Sequence, residues 1–336
     1  MSAPRIVHGG GITAAAALFG GRPQDWLDLS TGINPCPPLL PDIEGDAWHR
    51  LPDHHRVEDA RRAAAGFYGA QNCLPLPVPG TQSAIQLLPR LLLDRTRAAV
   101  LSPTYGEYGR VLADAGVPVD AVASLDAVTA DHGLVVVVNP NNPDGRRFAA
   151  EELLALHDRM RSWSGMLLVD EAFGDMRPED ALAPRAGALP GLVVFRSFGK
   201  FFGLAGLRLG FALGEGKVLS QLADWLGPWA VSGPALAVAS ALMRGDTRAI
   251  RTSIAERKRA LDDVLSGAGL TIAGGTELFT LVDHGKAADV HEALCERHIL
   301  VRRFDYAPRW LRFGLTPGQK DDDRLAGALE TIGAIR

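Results

Sequence analysis

The sequence predicts an α/β chain: a mainly parallel sheet in a large domain, joined to a smaller α+β domain. Three observations predict it. Short runs of branched and other apolar residues, RAAVLS (97–102), LVVVV (134–138), MLLVD (166–170) and LVVFRS (192–197), alternate with helical stretches, as strands buried on both faces do. The 336 residues are enough for a large core and suggest more than one domain. After about residue 230 the alternation gives way to one long charged helix and a group of strands.

Taken in order, residues 1–50 are rich in Gly and Pro and show little periodicity. INPCPPLLP (33–41) must be extended or turning, because proline removes backbone donors and biases its predecessor away from helix. DARRAAAGFYGA (59–70) reads as a helix ending near Gly69. TQSAIQLLPRLLL (81–93) is helical in pattern, with a break expected at Pro89. EYGRVLADAG (107–116) is a helix closed by a glycine, and AAEELLALHDRMRSW (149–163) an amphipathic one. LRLGFAL (207–213) reads as a strand. TRAIRTSIAERKRALDDVLSGAG (247–269) is a long amphipathic helix with a glycine stop. LFTLVDHG (278–285), ILVRRFD (299–305) and WLRFGLT (310–316) look like strands, and KDDDRLAGALETI (320–332) is a final helix. The expected division is 36–230 for the large domain, with 1–35 and 231–336 forming a small one that closes over a ligand.

Composition narrows the class. Apolar residues make up 47% and charged residues 22%, as in a soluble globular protein. A net charge of −4 provides no global basic field for nucleic acid. Cys36, Cys73 and Cys295 fit neither a zinc site nor a disulfide framework. The N-terminal stretch lacks a signal-peptide pattern, and no apolar run approaches ~18 residues. The expectation is a cytoplasmic protein with no membrane or nucleic-acid partner.

The chemistry gathers around SFGKFFGLAGLRLGF (197–211). Lys200 sits among apolar neighbours, where burial lowers an amine's pKa and suits it to carbonyl chemistry. Taken alone, it reads more readily as a surface lysine on a loop. Its neighbours change that. Ser197 and Arg208 offer a hydroxyl and a bidentate guanidinium for a phosphate. VNPNNPDG (138–145) and VDEAF (169–173) follow strands, so Asn142 and Asp170 belong at the same sheet edge, where doubly wound sheets bind ligands. An amine, a carboxylate, an amide and an Arg/Ser pair together suit pyridoxal 5'-phosphate (PLP).

GTQSA, SPTYGEY, NPNNPDG, VDEAF and SFGKFFGLAGLRLGF, in that order over residues 80–211, resemble the fold type I PLP enzymes of the aminotransferase superfamily. The resemblance implies that Lys200 is the Schiff-base lysine and that Asp170 keeps the pyridine nitrogen protonated. It makes Asn142 the partner of the ring's phenolic oxygen, and Ser197 and Arg208 phosphate ligands. Thr81 and Gln82 follow a Gly-led turn that opens a helix, where backbone N–H groups favour an anion. Tyr105 corresponds to the aromatic that stacks on the ring, with Tyr108 as a substitute. Two departures stand out: Phe173 and Leu51 occupy positions where many relatives have tyrosine.

The C-terminal region resembles the histidinol-phosphate aminotransferase branch, which implies that Arg312 grips a carboxylate, with Arg302 nearby. HGGG (8–11), DLSTGINPCPP (28–38), VDEAF and PTYGEY resemble more specifically the cobalamin-pathway L-threonine O-3-phosphate decarboxylases. This implies that His8, Gly9 and Asn34, with Arg302, bind a substrate phosphate. It further implies catalysis by Lys200 with Asp170 and Tyr105, a homodimer, and (R)-1-amino-2-propanol O-2-phosphate as product. A histidinol-phosphate-type aminotransferase using 2-oxoglutarate or glutamate stays open; a non-catalytic PLP-binding protein is disfavoured by the intact residue set.

Other motifs lead nowhere. GEGKV (214–218) has Phe211 and Val218 where a phosphate-binding P-loop needs Gly and Ser/Thr. DHH (53–55) has no companion ligands at metal spacing, so a metal is not expected.

Overall fold

The computed structural model describes Ile6 and residues 8–92 and 96–333. The chain begins with α1 (Ile12–Phe19), β1 (Leu27–Leu29), α2 (Asp46–His49), α3 (His54–Tyr68), β2 (Leu76–Val78) and α4 (Thr81–Leu87). It continues through β3 (Arg97–Leu101), α5 (Glu107–Asp114), β4 (Val119–Val122), β5 (His132–Val138), α6 (Ala150–Arg161) and β6 (Met166–Asp170). Next come β7 (Leu192–Ser197), α7 (Phe198–Phe201), β8 (Gly210–Leu213), α8 (Gly216–Leu226), α9 (Gly233–Arg244) and α10 (Arg248–Gly267). The last elements are β9 (Thr271–Thr276), β10 (Phe279–Asp283), α11 (Ala287–Cys295), β11 (Ile299–Arg303), β12 (Trp310–Gly314) and α12 (Gln319–Ile332).

Two compact units result. The first contains Pro38–Asn142 and Arg147–Thr247; the second runs up to Pro37, takes in Pro143–Arg146 and resumes at Arg248. The junction expected near residue 230 lies at 247/248 instead, because α9 packs along α3. Asp53, from the DHH motif, caps α3 by accepting a hydrogen bond from the Arg56 N–H at 3.1 Å.

The first unit holds a sheet of order β2-β8-β7-β6-β5-β3-β4. From β4 to β7 every pairing is parallel, while β8 runs antiparallel to both β7 and β2. Leu134 to Val138 and Leu167 to Val169 are almost wholly buried, which explains their unbroken apolar sequence. Val138 pairs with Asp170, and Asp170 with Phe195, so β5, β6 and β7 end at one edge.

Two expected elements are shorter than their patterns. α4 stops at Leu87 and continues as a 3-10 turn over Leu88–Leu91, since Pro89 cannot donate to a helix; Leu93 lies outside the described residues. The strand expected over 207–213 begins only at Gly210, because Arg208 adopts a left-handed φ of 53°.

The second unit holds a sheet of order β1-β11-β12-β10-β9. β1 is parallel to β11 and the other pairings are antiparallel. Arg302 and Arg312 are direct cross-strand partners. Among the described residues, no helix is long and apolar enough to cross a membrane.

His291, on α11, generates a testable pH dependence. Burial, with the neighbouring Arg303 charge, pushes its imidazole from 6.5 down to about 4. Between those values the unfolded chain holds a proton that the folded chain does not, so stability falls as pH drops from about 6.5 to about 4. Melting curves over this range should show the loss, and His291→Asn should flatten it.

Candidate active site

The functional candidates of the first unit gather at the ends of β5, β6 and β7 and the start of α5. Asp170 closes β6 and is 4% exposed. Its Oδ2 accepts a hydrogen bond from the Tyr108 hydroxyl at 2.7 Å, and its Oδ1 one from the Ala172 N–H at 3.0 Å. Burial raises the Asp170 carboxyl above its usual range; these two donors and the charges of Lys200 and Arg196 pull it back. Lys200 lies on α7, directly after β7, with Nζ 5.8 Å from the centre of the Phe173 ring.

Tyr105 and Gln82 belong to one network. The Tyr105 hydroxyl donates to Gln82 Oε1 at 3.1 Å, and Gln82 Nε2 donates to Glu107 Oε2 at 2.8 Å. Glu107 is buried and is paired with Arg110 at 2.5 Å. Gln82 is thereby oriented by Glu107, a connection that spacing alone does not reveal. Burial, with the Glu107 and Asp170 charges, pushes the Tyr105 phenol up to about 12. Tyr105 is therefore a neutral hydrogen-bond donor at physiological pH. Its ring meets that of Tyr108 edge-on at 6.2 Å.

Arg208, Gly80, Thr81 and Ser197 converge. Gly80 has φ +70°, and a Cβ there would stand 2.8 Å from Arg208 Nη2. Only glycine lets the guanidinium lie against the start of α4. Ser197 pairs with Gly210, where a Cβ would be 2.9 Å from the Thr81 backbone nitrogen. This cradle offers a guanidinium, a hydroxyl and the first N–H groups of α4. Asn142 follows the turn after β5. Its neighbours Asn139 and Asn141 hold that turn, Asn139 by exchanging hydrogen bonds with Phe148 and Asn141 by donating to the Pro103 carbonyl at 2.8 Å.

The second unit assembles the remaining candidates. Arg312 is 6% exposed; its Nη2 donates to the Ser30 carbonyl at 2.8 Å, and its Cζ lies 4.9 Å from the centre of the Phe279 ring. Burial, with Arg302 alongside, lowers its guanidinium to about 10. Gly9 packs so tightly against the residue after β1 that a Cβ would stand 2.4 Å from the Ser30 carbonyl oxygen, and the exposed His8 immediately precedes it. Asn34 is buried and its Oδ1 accepts from the Cys36 N–H at 2.9 Å, so its NH₂ is the group that can donate.

A family model described as aminotransferase class I and II matches residues 24–329. The chain belongs to that family. It is 63% identical to a threonine-phosphate decarboxylase from Sinorhizobium sp, over 98% of this chain and 98% of that one. It is 44% identical to a threonine-phosphate decarboxylase from Pseudomonas aeruginosa, over 96% of this chain and 97% of the other. The crystal structure of histidinol-phosphate aminotransferase from Sinorhizobium meliloti with pyridoxal-5'-phosphate superposes with a TM-score of 0.85. It covers 99% of this chain and 96% of that chain at 23% identity, a likeness of fold. The architecture is that of fold type I, as expected.

Within this aminotransferase-family fold, Phe173 is buried and Leu51 is 65% exposed. One feature escaped the sequence reading: Arg196, in the middle of an apolar strand. It is buried and paired with Glu171 at 2.6 Å and with Asp175, and its guanidinium lies 4.6 Å from the Tyr68 ring centre. Glu171 also accepts from the Leu182 N–H. The triad ties the segment after Asp170 to the strand that leads to Lys200. A charged residue inside LVVFRS was the available signal.

Arg196→Met would leave two buried carboxylates without their cation. The expected loss is about 3–5 kcal/mol of stability, measurable by denaturant unfolding. A loss under 1 kcal/mol would show that the triad does not hold this region.

Proposed function

We propose that this chain is a PLP-dependent carboxy-lyase that converts L-threonine O-3-phosphate to (R)-1-amino-2-propanol O-2-phosphate and CO₂. The observation that carries the proposal is 63% identity over 98% of both chains to a threonine-phosphate decarboxylase. The product is the linker of the cobalamin nucleotide loop, so the enzyme serves cobalamin biosynthesis in the cytoplasm.

The residues of the first unit fit the cofactor. Its phosphate is assigned to Arg208, Ser197 and the start of α4 at Thr81 and Gln82; the glycine cradle at Gly80 supports this. Asn142 is assigned to the phenolic oxygen, Asp170 to the ring nitrogen, Tyr105 to the ring face and Lys200 to the covalent link. When bound, PLP supplies an electron sink for the bond broken at the substrate's Cα.

The chain's own groups then divide the work. Tyr108 and the Ala172 N–H favour the ionised form of Asp170 against its burial, which raises the carboxyl. Arg312 takes the substrate carboxylate, and Arg302 with His8, Gly9 and Asn34 takes its phosphate. Fixing both anions sets which Cα bond is aligned for cleavage, so binding selects the reaction. The return of a proton to Cα after CO₂ leaves is assigned to Lys200 Nζ or to a tyrosine hydroxyl, with Tyr105 the candidate.

We further propose a homodimer. Leu39, Leu40, Trp48 and Leu51 are 95%, 63%, 66% and 65% exposed within one short stretch, an apolar surface suited to a second copy. Light scattering should give twice the chain mass, and a monomer would contradict the assignment.

The deciding experiment mixes the protein, PLP and L-threonine O-3-phosphate without a keto acid and follows products by mass spectrometry. CO₂ and aminopropanol phosphate are expected. A keto product with cofactor in its amine form would mean transamination instead. Lys200→Ala should remove both the turnover and the visible absorbance of the reconstituted protein. Tyr108→Phe loses a hydrogen bond that favours the ionised Asp170, and kcat should fall about tenfold or more while KM changes less than twofold.

A further inference from the structure

Ser30, directly after β1, joins two pieces of the second unit that lie far apart in sequence. It is 2% exposed. Its hydroxyl donates to Asp28 Oδ1 at 2.5 Å, and its own N–H donates to the same oxygen at 2.9 Å. A serine hydroxyl has one hydrogen and two lone pairs. With the hydrogen committed to Asp28, only lone pairs remain for other partners. One of them accepts from the Gly10 N–H at 2.7 Å. The Ser30 carbonyl, on the opposite end of the residue, accepts from Arg312 Nη2 at 2.8 Å. Gly9 lies against this carbonyl so closely that no side chain fits.

We propose that Ser30 is a positioning residue that fixes the His8–Gly11 segment beside Arg312, so that the two halves of an anion-binding site keep a set separation. This rests on the assignment of His8 and Arg312 to a doubly anionic substrate. Asp28 belongs to the device: by taking the hydroxyl hydrogen, it presents an acceptor, not a donor, to Gly10. The serine side chain holds the segment and the serine backbone holds the arginine, so the two functions can be separated by mutation. Ser30→Ala deletes the first and leaves the second in place.

The test uses the PLP-loaded full-length enzyme and its Ser30→Ala variant. Amide hydrogen exchange of the Gly9–Gly11 segment should accelerate in the variant, while exchange in β12 stays as in the parent. With L-threonine O-3-phosphate, KM should rise about tenfold and kcat change less than twofold, the pattern for lost uniform binding. Inorganic phosphate, used as a competitor, should bind about tenfold more weakly. Unchanged exchange at Gly10 would overturn the proposal. So would faster exchange with unchanged KM and unchanged phosphate inhibition, since the segment would then be anchored by Ser30 without serving the substrate. If the parent enzyme fails to decarboxylate the substrate, the functional reading falls, while exchange and phosphate binding still decide the role of Ser30.

Discussion

A carboxylate buried as deeply as Asp170 is tolerable only where hydrogen-bond donors replace the water it has lost. Here the donors are the Tyr108 hydroxyl and the Ala172 N–H. The first requires α5 to begin where it does, so that Tyr108 in its first turn reaches the end of β6. The second requires the chain to turn immediately after β6. Arg196 adds a positive charge from the next strand and is held by Glu171 and Asp175, both from the segment following Asp170. The parallel order of β5, β6 and β7 therefore does more than build a core. It brings the ends of the strands into one place, and the buried charges there demand particular neighbours.

The start of α5 shows how densely those demands are met. Tyr105, Glu107 and Tyr108 occupy four consecutive positions with Gly106, yet serve different partners. Tyr105 reaches Gln82, Glu107 orients Gln82 and balances Arg110, and Tyr108 supports Asp170. Changing one perturbs groups on α4 and β6 together, because the helix start is a shared support.

Legibility in the sequence followed the range of the interactions. β5, β6 and β7 were legible because strands buried on both faces must be continuously apolar. β1, β2 and β4 were not, since LDL, LPV and VDAV are too short to carry a pattern, and Pro77 speaks against a strand except at an edge. α1 was hidden in a glycine-rich stretch, and α9 looked like part of the small domain until its packing on α3 was known. Lys200, Asp170, Asn142 and Arg208 could be singled out as candidates because each stands in or beside a strand within a distinctive motif. The partners that make them workable could not. Gln82 and Glu107 are 25 residues apart, Tyr108 and Asp170 are 62 apart, and Ser30 and Arg312 are 282 apart. Such pairs exist only after folding.

Arg302 and Arg312 face each other across β11 and β12. Like charges directly opposite on antiparallel strands repel, and the burial of Arg312 makes the repulsion worse. The free protein accommodates this with partial measures. The Ser30 carbonyl, the Phe279 ring and the Asp28 charge all favour the Arg312 cation, yet its guanidinium still lies down at about 10. A core under selection for stability alone would replace one arginine with an apolar residue. Keeping both makes physical sense if a ligand brings negative charge to each. On the proposed reading, a substrate with a carboxylate at one end and a phosphate at the other does so, and the electrostatic cost of placing two arginines face to face becomes selectivity for a doubly anionic ligand.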